Sequence, residues 1–182
     1  MFTEESLLDL FEVADLLSQG DQQIYEELRL IVFEDDSNVI LDFLIERLQE
    51  RDFQNLSDQF SHSQVENAWW IMLYLLANRG HLCMIEPNIE EAEFWARIRE
   101  LQCWNVIEFG ESQLEQSFHN ETSVTDCLAI LQNRLEESDY CVARIAMEVD
   151  WDIIFICSKI TYERLKILAE QLGYAIKLVK EE

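Results

Sequence analysis

The chain has 182 residues, with 37 acidic side chains against 13 basic ones and a formal charge of -24. Apolar residues make up 49%, with only 4 glycines and one proline, which excludes a disordered or collagen-like polymer and leaves a globular fold with a substantial core. A surface this negative repels phosphate backbones and anionic lipid head groups, so neither nucleic acid nor membrane is expected as a partner, whereas a basic protein surface is attracted.

The first element is an amphipathic helix. Leu7, Leu10, Phe11, Ala14 and Leu17 share one face, with Thr3 as its N-cap and Gly20 just past its end. A second helix after Asp21 places Ile24, Leu28 and Ile31 inward. The acidic turn Glu34-Asp35-Asp36 leads to a third helix, starting after Ser37 and burying Ile40, Phe43, Leu44 and Leu48. The segment from Asp52 to Ser63 is polar, with Phe53, Leu56 and Phe60 as isolated anchors, and reads as a loop. From Gln64 to Asn78 the sequence is apolar nearly all round, which predicts a helix buried on every face and ended by Gly80.

His81 to Ile85 reads as a short extended piece stopped by Pro87. Asn88 with Glu91 three residues on predicts a capping box for a fifth helix that turns Phe94, Trp95, Ile98 and Leu101 inward. Residues 103–120 give no decisive pattern. Ser123 then opens a helix carrying Val124, Cys127, Leu128, Leu131 and Leu135. Beyond Asp139 the period becomes two: Cys141, Ala143, Ile145, Met147 and Val149 alternate along a strand. Asp150-Trp151-Asp152 is a turn or the start of a strand, and Ile153 to Cys157 is a strand covered on both faces. A helix capped by Thr161 and closed by Gly173 follows, then a strand from Tyr174 to Val179. The expected fold is therefore α+β. A helical half, residues 1–138, packs on a small antiparallel sheet, with a β-β-α-β unit over 139–182, all in a single domain.

Met1-Phe2-Thr3-Glu4-Glu5 lacks a basic secretory n-region, and the apolar run Ala68–Ala77 is too short for a span that needs about 20 residues. A cytoplasmic location is expected. Cys83, Cys103, Cys127, Cys141 and Cys157 are odd in number and sit in apolar surroundings, which reads as reduced core thiols. Scattered glycines (Gly20, Gly80, Gly110, Gly173) cannot form a phosphate-cradling loop, and no nucleophile elbow, His-Glu-x-x-His pair or Cys-x-x-Cys occurs. No cofactor and no catalytic residue is expected. His81 and Cys83 read as structural, and His62 and His119 as solvated loop residues.

The acids themselves are the remaining feature. Residues 1–150 hold 32 acids and 8 bases, whereas 151–182 hold 5 of each. Asp42, Glu46 and Glu50 recur every four residues opposite the apolar face of the third helix, with Asp35 and Asp36 ahead of them. Glu136, Glu137 and Asp139 crowd a helix C-terminus, where carboxylates oppose the macrodipole. Asp150 and Asp152 would project to one side of a strand, a geometry hard cations use. Each cluster alone reads as a solvated face. Together they exceed the net charge of about 2–8 that keeps a small domain soluble.

The Trp-rich run Asn67-Ala68-Trp69-Trp70-Ile71-Met72-Leu73 and the ending Asp152-Ile153-Ile154-Phe155-Ile156 through Glu163 to Gly173 resemble a bacterial domain-of-unknown-function family of small acidic proteins. In size and charge the chain also resembles the immunity proteins that neutralise bacterial toxins. That second resemblance implies a non-enzymatic partner of a basic, nuclease-type toxin domain, acting as a monomer or weak dimer. Asp35, Asp36, Asp42, Glu46, Glu50, Glu136, Glu137, Asp139, Asp150 and Asp152 would then pair with the toxin's Lys and Arg. The alternatives are a DNA mimic that inhibits a nucleic-acid-binding enzyme, and a metal-dependent hydrolase using Asp150 and Asp152.

Overall fold

The structure is a computed structural model and describes residues 3–61, 63–105, 107 and 123–179. Met1, Phe2, His62, Gly110 and His119 lie outside the described residues, as does most of the undecided stretch 103–120. The architecture is α+β, and the chain divides into two units, Met1–Arg79 and Gly80–Glu182.

The first unit is helical among its described residues: α1 (Glu4–Ser18), α2 (Gln22–Phe33), α3 (Ser37–Arg47), α4 (Glu50–Asp58) and α5 (Gln64–Asn78). Capping fixes the first boundaries. Thr3 and Ser6 form a capping box, and Asp21 accepts from the Gln23 amide. Helix α5 is the hub, packing against α1, α2 and α4, and Ala68 to Leu76 are all buried. Two expectations fail here. The polar stretch after Asp52 lies largely in α4, whose Leu56 is fully buried and whose Phe53 is half-buried, as is Phe60 just past its end. And α3 stops at Arg47, so Glu50 begins a new helix instead of continuing the acidic row.

The second unit contains β1 (Cys83–Ile85), α6 (Glu91–Arg99), a 3₁₀ turn (Gln102–Asn105), α7 (Val124–Leu135), β2 (Tyr140–Ala146), β3 (Asp152–Ser158), α8 (Lys159–Gln171) and β4 (Ala175–Leu178). The sheet is antiparallel in the order β1-β3-β2-β4. Val142, Ile154 and Ile156 meet α6 and α7 residues such as Trp95, Ile98, Leu128 and Leu131 in one core cluster. The opposite face packs on α8, which explains why Ile153 to Cys157 are buried without alternation.

Polar side chains finish the ladders. The Val142 amide donates to Gln132 Oε1 at 2.8 Å, so a buried glutamine of α7 satisfies a central strand. Arg97 donates to the Met84 carbonyl at 2.8 Å, tying α6 to the edge strand β1. Gly80 is required where it stands: its φ is +72°, and a Cβ there would approach the Glu100 carbonyl oxygen to 2.9 Å.

Three boundaries differ from the sequence reading. The cap of α6 is Glu90, without a side-chain bond, so the Asn88 capping box does not form. Ser158, the last residue of β3, caps α8, and Thr161 sits three residues inside it. Strand β2 ends at Ala146, leaving Met147 to Trp151 in a bend.

Candidate functional site

The α2–α3 corner is built by short-range bonds. Glu34 leaves α2 in extended geometry, its amide donating to the Leu30 carbonyl at 2.9 Å. Its carboxylate accepts from the Asp36 amide at 3.0 Å, and Asp36 in turn caps α3 by accepting from the Asn38 amide at 2.9 Å. Asp36 is thus engaged in holding the corner. Asp35, Asp42 and Glu46 are exposed around it, the last two one turn apart on α3.

Helix α2, which leads into this corner, carries a surface that the sequence reading did not single out. Ile24, Glu27, Leu28 and Ile31 of α2 are buried, so Glu26, Arg29, Leu30 and Phe33 share its outward face. Phe33 is 62% exposed and Leu30 41%. With Glu34 these residues line an open groove of ≈ 370 Å³. On α3, Leu41 and Ile45 are also exposed, forming an apolar row next to Asp42 and Glu46. Had Leu30 and Phe33 been placed against the inward spacing of 24, 28 and 31, their outward position would have been readable.

Glu27 was also missed. It is a carboxylate on the buried face of α2, where it accepts from Arg79 at 3.0 Å and lies 3.4 Å from the Arg47 guanidinium. Arg79 Nη1 also donates to Gln23 at 2.7 Å. The signal was an acid at the i+3 position from Ile24, in a helical row of apolar residues.

The other acids are arranged differently. Glu50 opens α4, where the helix dipole favours a carboxylate without any partner. Glu136, Glu137 and Asp139 occupy the turn between α7 and β2. Lys159 compensates them locally, its ammonium donating to the Glu136 and Ser138 carbonyls at 3.1 and 2.6 Å. Asp150 lies in the bend before β3 and Asp152 is the first residue of that strand, so the pair does not share a strand face. These two groups stand at opposite ends of the β2–β3 hairpin, about 20 Å apart for strands of this length. Among the described residues no group of three or more His, Cys, Asp or Glu is placed to hold a metal ion. His81 and Cys83 are both buried, and burial pushes the Cys83 thiol up to about 12.

The surplus charge is shared. Residues 1–79 carry 17 acids and 4 bases, and residues 80–182 carry 20 and 9. The chain matches the family model described as Domain of unknown function (DUF6630) over residues 9–179. It belongs to that family. Neither the curated proteins nor the solved structures contain a match to the chain. Among the described residues of this DUF6630 chain, no helix is long and apolar enough to cross a membrane.

Proposed function

We propose that the chain is a binding protein whose partner presents a cationic surface around an apolar protrusion, and that this partner is a nuclease-type toxin domain neutralised in the cytoplasm. The carrying observation is the outward face of α2, where exposed Phe33 and Leu30 line an open groove with Glu26, Arg29 and Glu34, and the exposed acids Asp35, Asp42 and Glu46 follow in the corner and on α3. Apolar side chains clustered in the open, with charged groups at their margin, mark contact surfaces in soluble proteins. A few well-packed anchor residues dominate the affinity at such contacts, and the surrounding charges set encounter rate and specificity.

The mechanism is occlusion. Carboxylates engage the Lys and Arg side chains that would hold substrate phosphates, while Leu30 and Phe33 bury apolar area against the partner. Close charge pairs at desolvated interfaces couple by about 1.5–7 kcal/mol, and steering raises association at low salt by about 10–10³-fold.

The test is co-expression. The partner recovered on the immobilised chain is produced in a host together with wild-type protein or with a variant carrying Leu30→Ser, Phe33→Ser, Asp42→Lys and Glu46→Lys. Growth protected by the wild type and lost with the folded variant supports the proposal. A partner without net positive charge, or equal protection by both, contradicts it.

A further inference from the structure

Cys141 and Cys157 are register partners across the two central strands of the sheet. The Lys159 amide donates to the Asp139 carbonyl at 2.8 Å, which makes 139 and 159 a hydrogen-bonded pair. Such pairs alternate along an antiparallel ladder, so 141 and 157 form the next one, with Cα atoms about 5.5 Å apart. That spacing lies inside the range of about 4.4–6.8 Å that a disulfide spans. The Cys141 thiol donates to the Cys157 carbonyl oxygen at 3.6 Å, and both cysteines are free and buried. Alternation puts both side chains on the sheet face opposite Val142 and Ile156, the face that packs on α8.

The two thiols also differ from the other three. Cys83, Cys103 and Cys127 belong to the cluster on the α6–α7 face, where burial pushes their thiols up to about 12, about 11 and about 11. Cys141 alone is held below the usual thiol range. Hydrogen bonding with the Cys157 side chain is the main cause, and the Lys159 charge adds to it against burial and Glu163. Cys157 is raised by the same bond and by burial. The two thiols are thus coupled to one another across the strands, which sets them apart from the three that burial mainly perturbs.

We infer that Cys141 and Cys157 form an oxidisable dithiol, a modification site at which a peroxide closes a disulfide across β2 and β3. The Cys141 sulfur attacks one peroxide oxygen and the O–O bond breaks. The departing oxygen takes up the Cys141 proton and leaves as water, and Cys141 becomes a sulfenic acid. The Cys157 sulfur then attacks Cys141 sulfur, the S–S bond forms, and the hydroxyl leaves as a second water with the Cys157 proton. In sum, two thiols lose two electrons and two protons, and the peroxide is reduced to two waters. The product links the centre of the sheet covalently in the second unit and leaves the α2–α3 surface chemically unchanged, so this inference stands apart from the proposed function.

The test is thiol mapping on the full chain. Protein treated with hydrogen peroxide is denatured, its remaining thiols are blocked with N-ethylmaleimide, and the intact mass and tryptic peptides are measured. The expected result is three blocked thiols in place of five, loss of two hydrogens from the mass, and a peptide joining Cys141 to Cys157 that dithiothreitol releases. Cys157→Ser should instead leave Cys141 as a sulfenic acid trapped by dimedone. Should that variant not fold, the wild-type peptide map decides alone. Five blocked thiols after peroxide, a disulfide to any other cysteine, or Cys141 driven to sulfinic acid with no bond to Cys157 would overturn the inference.

Discussion

The two units differ little in charge and greatly in what they leave uncovered. Each carries a large acidic surplus. Of the exposed large apolar side chains among the described residues, however, Leu8, Tyr25, Leu30, Phe33, Val39, Leu41 and Ile45 belong to the first unit, and only Ile160 and Ile167 to the second. The second unit covers both faces of its sheet with helices. Charge alone therefore does not select a binding face on this molecule. The proposed contact surface rests instead on the apolar side chains, most of which in the first unit belong to α2 and α3.

Substitutions can break or sharpen that contrast. The largest effects belong to the two cores. Trp69→Ala in α5 and Phe155→Ala in β3 remove side chains that are 0% and 1% exposed. Each should lower unfolding stability by about 3–5 kcal/mol in denaturant titrations. A markedly smaller loss for Trp69 would mean that the helical unit lacks a firm core, and the contrast would reduce to one of packing quality.

Next comes Glu27→Ala, which strips Arg79 and Arg47 of their shared carboxylate and should cost about 2–3 kcal/mol. A cost near zero would show that the network does not fix α2. Tyr74 tests the same unit from another side. Its hydroxyl is buried without a hydrogen-bond partner among the described residues, and burial, with Asp52 and Asp58 nearby, pushes its pKa up to about 12. The folded state thus holds the phenolic proton more tightly than the unfolded one. The resulting stability is intact below about pH 10 and is lost as pH rises toward 12. Tyr74→Phe should flatten that alkaline loss while changing stability little at pH 7, as pH-dependent melting would show. The smallest effect is expected for Leu30→Ser with Phe33→Ser, within about 0.5 kcal/mol of wild type because both side chains are already exposed. A large loss would make them part of the core and remove them as contact residues.

Much of the fold was legible because caps and periodicity agreed. Thr3, Asp21 and Ser123 start helices where a short polar side chain precedes a regular apolar row, and α5 is apolar on every side. Helix α4 was hidden because Phe53, Leu56 and Phe60 are diluted among polar residues, although their spacing fits a helical face. Ser158 was hidden because β3 runs into α8 with no intervening turn to mark the boundary. The acidic row on α3 broke at Leu48 and Gln49, where the chain leaves the helix. The groove is not legible from amphipathic periodicity, which marks the residues that go inside. Leu30 and Phe33 carry the same composition signal as core residues and differ only in the angle at which α2 presents them. Pairing of Cys141 with Cys157 depends on hairpin register, which spacing alone left open because the strand was read three residues too long.

Calorimetric titration of the recovered partner tests the central claim most directly, comparing wild type with Phe33→Ser and with the double reversal Glu136→Lys, Glu137→Lys. Phe33→Ser is expected to weaken binding by at least about 30-fold, as for an aromatic anchor, and the reversal in the second unit to change affinity less than about threefold. The opposite ranking, with Phe33→Ser binding like wild type, would contradict the central claim.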